Sequence, residues 1–291
     1  MKSSFSNSFS PILKLILLLL VVTNQFFPQI NMKMGANNGY YLLNKEDMAE
    51  GKHHTRHAEL FGKYVEGINQ KVLQAVDIVQ STALDGGGYF ANIKADPPES
   101  PIGYELKLFG RSLLNPPRTT SYCSGASYAA FIEAINLYFF EKQTEISYER
   151  YEALRMQEED GGRREDQIKF WGKWNDDGYG CNYALVQYSE MGTDIKPEDA
   201  LPGDFVNIIW NSGGGHSVVF LGWYKDESPI LNLVYWSSQK STNGLGDVVV
   251  PIEKIKNVKF VRLTNPQNIF AFDPLKEVNR KISPNIINFE E

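Results

Sequence analysis

Two residue types in this chain can carry covalent chemistry between them, a thiol at Cys123 and an imidazole at His216. Cys123 falls near the start of a segment, Thr119–Phe140, whose apolar spacing predicts a helix, with Thr120 or Ser121 as its cap. The first turn of a helix has unpaired N–H groups and the positive end of the dipole, and both favour an anion. A thiol held there ionises more readily, and the thiolate is the nucleophile of acyl transfer. His216 follows Gly213-Gly214-Gly215 and leads into an apolar run, so a strand would hold its ring. The two residues are 93 positions apart, which does not prevent contact in a folded domain.

The elements needed to position them are readable from periodicity. Leu60–Ser81 has helical spacing and ends at Asp85-Gly86-Gly87-Gly88. Ser147–Glu159, Gln167–Trp174 and Ala184–Glu190 are further helical pieces, while Leu106–Leu114 reads equally as strand or helix. From Pro202 the pattern becomes sheet-like. Strands are expected at Phe205–Trp210, Ser217–Trp223, Ile230–Trp236, Asp247–Ile252 and Val258–Leu263. Helices followed by an antiparallel meander predict an α+β domain. Ser124, Gly125 and Ala126 put small side chains in the first turns of the Cys123 helix, so something must pack closely there.

The local wording around these residues resembles a known family. Tyr122-Cys123-Ser124-Gly125 is similar to the nucleophile helix of the NlpC-type bacterial cell-wall cysteine peptidases, within the papain-like superfamily. Leu201-Pro202-Gly203-Asp204-Phe205-Val206 resembles that family's Pro-Gly-Asp before a strand, and Gly215-His216-Ser217-Val218 its Gly-His strand. The three matches occur in the family's order and cover residues 119 to 250. The resemblance implies a papain-like fold, a nucleophile helix packed on a small antiparallel sheet, with Cys123 as nucleophile and His216 as general base. It implies a third polar residue on the next strand to orient the imidazole. Gln239 is the first choice and Asn232 the alternative, since either amide oxygen could accept from a ring N–H. The expected substrate is a peptide, in particular a stem peptide or cross-link of peptidoglycan. Neither a metal nor an organic cofactor is required. The chain departs from the family in having Tyr122 where Asp is common, and in a long helical insert over 141–200. For the oxyanion, the Cys123 N–H is the natural first donor, with Tyr122 or Ser121 as a second.

Other readings compete. The same Cys and His could serve an acyltransferase or transglutaminase, or the chain could be a non-catalytic exported binding domain. A Cys123–Cys181 disulfide would remove the nucleophile; otherwise Cys181 reads as a core residue. His53, His54 and His57 form a local cluster with Glu50 and Glu59 nearby, but no closed ligand set is specified, so they read as surface histidines in a loose segment. Asp176-Asp177-Gly178 lacks the ligand spacing of a calcium loop and reads as a turn. Trp171, Trp174, Tyr179 and Tyr183 suit packing between helices better than a substrate groove.

Composition and charge bound what remains. With 42% hydrophobic and 22% charged residues, the chain can build a sizeable core and is not wholly disordered. A formal charge of −6 gives no basic excess for general nucleic-acid binding. Two Cys and four His exclude a multi-zinc or disulfide-dense scaffold. Lys2 and Lys14 precede the apolar run Leu15–Val22, which is too short to span a bilayer and has the size of a secretory h-region. Residues 1–27 therefore read as a signal peptide or anchor, and any membrane attachment would be through them. Residues 28–57 read as a flexible lead-in and 58–291 as a single hydrolase domain. The expected location is secreted, periplasmic or cell envelope.

Overall fold

Residues 39–140, 142, 145–158, 160–162, 167–176, 178–225, 227 and 230–289 are described by a computed structural model. The segment expected to be a signal or anchor, residues 1–27, lies outside them. Among the described residues no helix is long and apolar enough to cross a membrane.

The chain is α+β. Nine strands can be followed in order: β1 (Leu42–Leu43), β2 (Leu106–Leu108), β3 (Arg111–Leu114), β4 (Gly192–Ile195), β5 (Phe205–Trp210), β6 (Gly215–Lys225), β7 (Leu231–Gln239), β8 (Gly244–Pro251) and β9 (Ile255–Leu263). Strands β2 and β3 form a separate hairpin, which resolves the ambiguous Leu106–Leu114 segment. The main sheet runs β4-β9-β5-β6-β7-β8 and is antiparallel throughout, with β1 added parallel to β6. The five strands expected after Pro202 are all present. The near-continuous apolar runs of β6 and β7 are what a sheet covered on both sides requires.

Two apolar layers use the two faces of that sheet. Val219 and Leu221 of β6, with Val234 and Trp236 of β7, face the helices. Val218, Phe220, Leu233 and Tyr235 face the opposite way. The helices are α1 (His57–Leu60), α2 (Ile68–Ser81), α3 (Cys123–Tyr138), α4 (Tyr148–Leu154) and α5 (Lys169–Trp174). Helix α3 packs on α2 and against β6 and β7. Phe131 of α3 stacks on Trp174 at 5.2 Å, and Trp174 meets Phe205 of β5 edge-on, also at 5.2 Å. Trp171 and Trp174 are buried, so they serve packing as expected. Each such side chain contributes about 1.5–3 kcal/mol by leaving water.

The insert over 141–200 is not wholly helical. After α5 comes a π-helical segment, Asn182–Tyr188, and then β4 pairs with β9 at the edge of the sheet. A four-residue strand beginning with Gly192 carries too few apolar alternations to announce itself.

The far face of the sheet is closed by chain that is remote in sequence. Tyr40 meets Trp223 edge-on at 5.4 Å and Phe289 at 5.1 Å, and its hydroxyl donates to the Asn288 carbonyl at 2.7 Å. Val258 and Asn285 exchange backbone hydrogen bonds of 2.9 Å. The expectation of solvated histidines in a loose segment also fails, because residues 51–57 lie along β8. The Asp247 N–H donates to the Lys52 carbonyl at 2.8 Å. His57 is 0% exposed, with Nδ1 at 2.7 Å from Asp77 Oδ1 and Nε2 at 2.9 Å from Asp247 Oδ1. Burial opposes a charge on this ring, but Asp247 and Asp77 outweigh it and raise its pKa to about 9. Its partners lie 20 and 190 residues away in sequence, so local reading had no access to them.

Candidate active site

Cys123 is the first residue of α3 and is half-buried. The expected caps do not cap. Tyr122 occupies the N-cap in extended backbone, without a side-chain capping bond. The Ser121 hydroxyl instead donates to Ser238 Oγ at 2.8 Å, where β7 ends. The close approach predicted from the small residues is real. A Cβ on Gly125 would fall 1.8 Å from the Pro101 carbonyl oxygen. The Pro101 segment therefore lies directly over the first turn, and the Tyr122 N–H donates to that same carbonyl at 3.2 Å.

His216 is the second residue of β6, after the glycine turn, with Ile208 of β5 as its cross-strand neighbour. Its ring lies near Trp210, centroids 6.0 Å apart, and edge-on to Tyr235 at 5.5 Å. A rim of the residue still reaches the surface. Burial pushes the imidazole down to about 4, and a hydrogen bond to Gln239 works against that. His216 is thus a neutral ring at neutral pH.

Of the two amides proposed to orient the ring, the structure brings one to it. Gln239 Oε1 lies 3.2 Å from His216 Nε2. Its amide nitrogen donates to the Gly246 carbonyl at 3.2 Å and to Thr242 Oγ1, which turns the oxygen toward the imidazole. A carbonyl oxygen can only accept, so Nε2 carries the ring proton and Nδ1 keeps its lone pair. Asn232 lies seven positions back along β7 and donates to the carbonyls of Tyr224 and Ile230 at 3.3 and 3.2 Å.

Hydroxyl pairs fasten the start of α3 to these strand ends. Besides Ser121–Ser238, Ser127 of α3 lies 2.8 Å from Ser217 of β6. Ser127 is one turn beyond Cys123, Ser217 adjoins His216, and Ser238 adjoins Gln239. Trp174 Nε1 donates to Ser127 Oγ at 3.0 Å, so this fastening is buried and satisfied.

Cys181 shares that buried network and forms no disulfide with Cys123. Its sulfur is 3.4 Å from Ser217 Oγ, and burial pushes its thiol up to about 12. It is a core residue with no thiolate near neutral pH.

Two tyrosines near the thiol were not anticipated. Burial raises the phenol of Tyr235, and charge on Cys123 adds to it. Tyr235 is thus a ring neighbour of His216 that lies within electrostatic range of Cys123. Tyr89 is raised for the same two reasons, with a further contribution from Glu99. Tyr89 is held beside Ser121 by a short parallel bridge, with the Ser121 N–H donating to the Gly88 carbonyl at 3.0 Å. Nothing local in the sequence marks either ring, because both are recruited by the path of other segments.

The Asp of Pro202-Gly203-Asp204 serves the scaffold. Asp204 is 0% exposed and accepts from the Leu201 N–H at 2.9 Å and Asn69 Nδ2 at 2.8 Å. Arg262 clamps it with two nitrogens, at 2.8 and 2.7 Å. It ties α2, the β5 entrance and β9 together.

Compared with protein-family models, with curated proteins and with solved structures, the chain has no match.

Proposed function

We propose that this chain is a papain-like cysteine hydrolase that cleaves amide bonds by acyl-enzyme chemistry, with Cys123 as nucleophile, His216 as base and Gln239 as the residue that orients the base. The observation that carries this reading is the His216–Gln239 hydrogen bond, formed at strand ends whose adjoining residues Ser217 and Ser238 bond to Ser127 and Ser121 on either side of the first turn of the Cys123 helix.

His216 Nδ1 takes the thiol proton as Cys123 Sγ attacks the carbonyl carbon. Because the ring is neutral at rest, transfer and attack proceed together rather than from a standing ion pair. The α3 first turn offers the Cys123 N–H to the oxyanion. Ser121 is engaged with Ser238, so Tyr89 is the better second donor: its phenol stays protonated and it lies in electrostatic range of the sulfur. The imidazolium then protonates the leaving amine at Nδ1, and water releases the acyl group by the reverse steps.

The substrate we assign is a peptide of the bacterial cell wall, on the motif resemblance, with the enzyme exported by its N-terminal segment. A polar cleft of about 440 Å³ supports a peptide ligand. It is lined by Gly86, Gly87, Gly88, Gly103, Ser121 and Asn243, and the missing side chains of the glycines leave room for an extended chain.

The test is incubation with purified peptidoglycan, with products read by mass. New amine and carboxyl ends from the wild-type protein, absent with Cys123→Ala, are expected. Transfer to an added amine in place of water would make the protein an acyltransferase. An unchanged product pattern with Cys123→Ala would remove the thiol from the mechanism.

A further inference from the structure

We propose that His54, His57 and Asp247 form a binding site for a divalent transition-metal ion of the zinc class, separate from the Cys123 site. One nitrogen of each histidine and one carboxylate oxygen of Asp247 all lie within 4.8 Å of one another. His54 Nε2 is 3.0 Å from Asp247 Oδ2, and His57 Nε2 is 2.9 Å from Oδ1. The two imidazoles stack, centroids 4.2 Å apart and 26° between planes, so both present the same nitrogen to one carboxylate. Nitrogen and oxygen ligands sit about 2.0–2.2 Å from zinc in a tetrahedron, hence roughly 3.3–3.6 Å from one another. Small outward shifts convert the present contacts into that spacing.

The surroundings supply what such a site needs. His57 Nδ1 faces Asp77 Oδ1 at 2.7 Å, and Asp77 is itself fixed by the N–H groups of His57 and Ala58 at 2.7 and 2.9 Å. A carboxylate behind the far nitrogen is the outer partner that orients a ligating histidine and fixes its tautomer. On the other side, His54 and Asp247 border a pocket of about 410 Å³ that Asp47 and Glu50 also line. The pocket gives an ion a way in and leaves a fourth position for water. Three protein ligands with one open position is the arrangement of a reactive zinc centre rather than a closed structural one.

One contact is lost on binding. His54 Nδ1 accepts from the Arg56 N–H at 3.1 Å, so the ring proton now rests on Nε2. Ligation moves that proton to Nδ1 and frees the Arg56 N–H to water. The ion replaces the protons that His54 and His57 share with Asp247. Sequence reading missed the site because its third ligand comes from β8 and its outer carboxylate from α2.

The experiment is titration of metal-free full-length protein with Co²⁺, followed by visible absorption and by melting temperature. It is run in a Cys123→Ser background so that the thiol supplies no ligand. One equivalent bound, with d–d bands of a low-coordinate N/O site and a raised melting temperature, is expected. His54→Ala leaves the His57 carboxylate contacts in place, so it folds, and should abolish the bands. Asp77→Asn should weaken affinity about 10–100-fold. Absence of stoichiometric binding, bands that survive both His54→Ala and Asp247→Asn, or bands seen only when Cys123 is present would each overturn the assignment.

Discussion

At the scale of residues, the division of labour among Gln239, Asn232 and His216 is open to direct test. Gln239→Ala removes the acceptor for His216 Nε2 and lets the ring turn or change tautomer. It should lower kcat by about 10–100-fold, less than Cys123→Ala, given what a positioned acid–base group contributes. Asn232→Ala should leave kcat unchanged, since its amide serves only the β6–β7 connection. A steady-state comparison of the two variants decides the point. The pH dependence follows from the burial of His216. Its folded pKa is lowered from 6.5 to about 4, so the neutral base persists well below the range where a solvated histidine charges. The acid limb of kcat/KM should therefore fall nearer pH 4 than 6.5. The same shift makes His216 stabilising above its unfolded pKa, a contribution lost as pH falls through about 4. A limb centred at 6.5 would mean a hydrated ring.

The elements explain where those residues sit. Helix α3 starts at Cys123 because Tyr122 is extended under the Pro101 carbonyl, and its first turn tolerates that carbonyl only because residue 125 has no side chain. Strands β6 and β7 then end at the same level, which puts residues 216 and 239 side by side. Asp204 holds the entrance of β5 to α2 and β9. Asp204→Ala would leave the Arg262 guanidinium without its bidentate partner and the Leu201 N–H without an acceptor. Removing one side of a buried pair costs about 3–5 kcal/mol. Chemical denaturation should read that loss. A cost below about 1 kcal/mol, the value of an exposed pair, would show that the clamp is surface-like.

At the scale of the folded chain, the main sheet is closed on one face by the helices and on the other by distant segments. The tail after residue 284 contributes Ile287 and Phe289 to the far face, and Tyr40 binds that tail through Asn288. Deleting residues 285–291 exposes this layer. It should lower the melting temperature by several degrees, since a loss of about 1–2 kcal/mol moves a chain of this size by roughly 2–8 °C. His216 and Gln239 remain in place, so per-molecule activity at low temperature should be retained. Equal loss of activity and stability would show that the tail also supports the site.

The sequence by itself determined the α+β class, five of the sheet strands, a helix with Cys123 near its start, and the pairing of Cys123 with His216 as the candidate site, with the third residue left between Gln239 and Asn232. Each is written in local terms: short apolar runs between turns, period-3.6 apolar spacing, glycine turns, and short motifs in a fixed order. Only the tertiary structure decided that Gln239 rather than Asn232 meets His216, because strand register depends on pairing and not on residue type. It alone brought Asp77 and Asp247 to His57, turned a loose histidine cluster into an ordered one, and set Tyr235 edge-on to His216. Those contacts join segments far apart in the chain. Their energy comes from burial and from satisfying polar groups against one another, and neither has a signature within a short window of sequence.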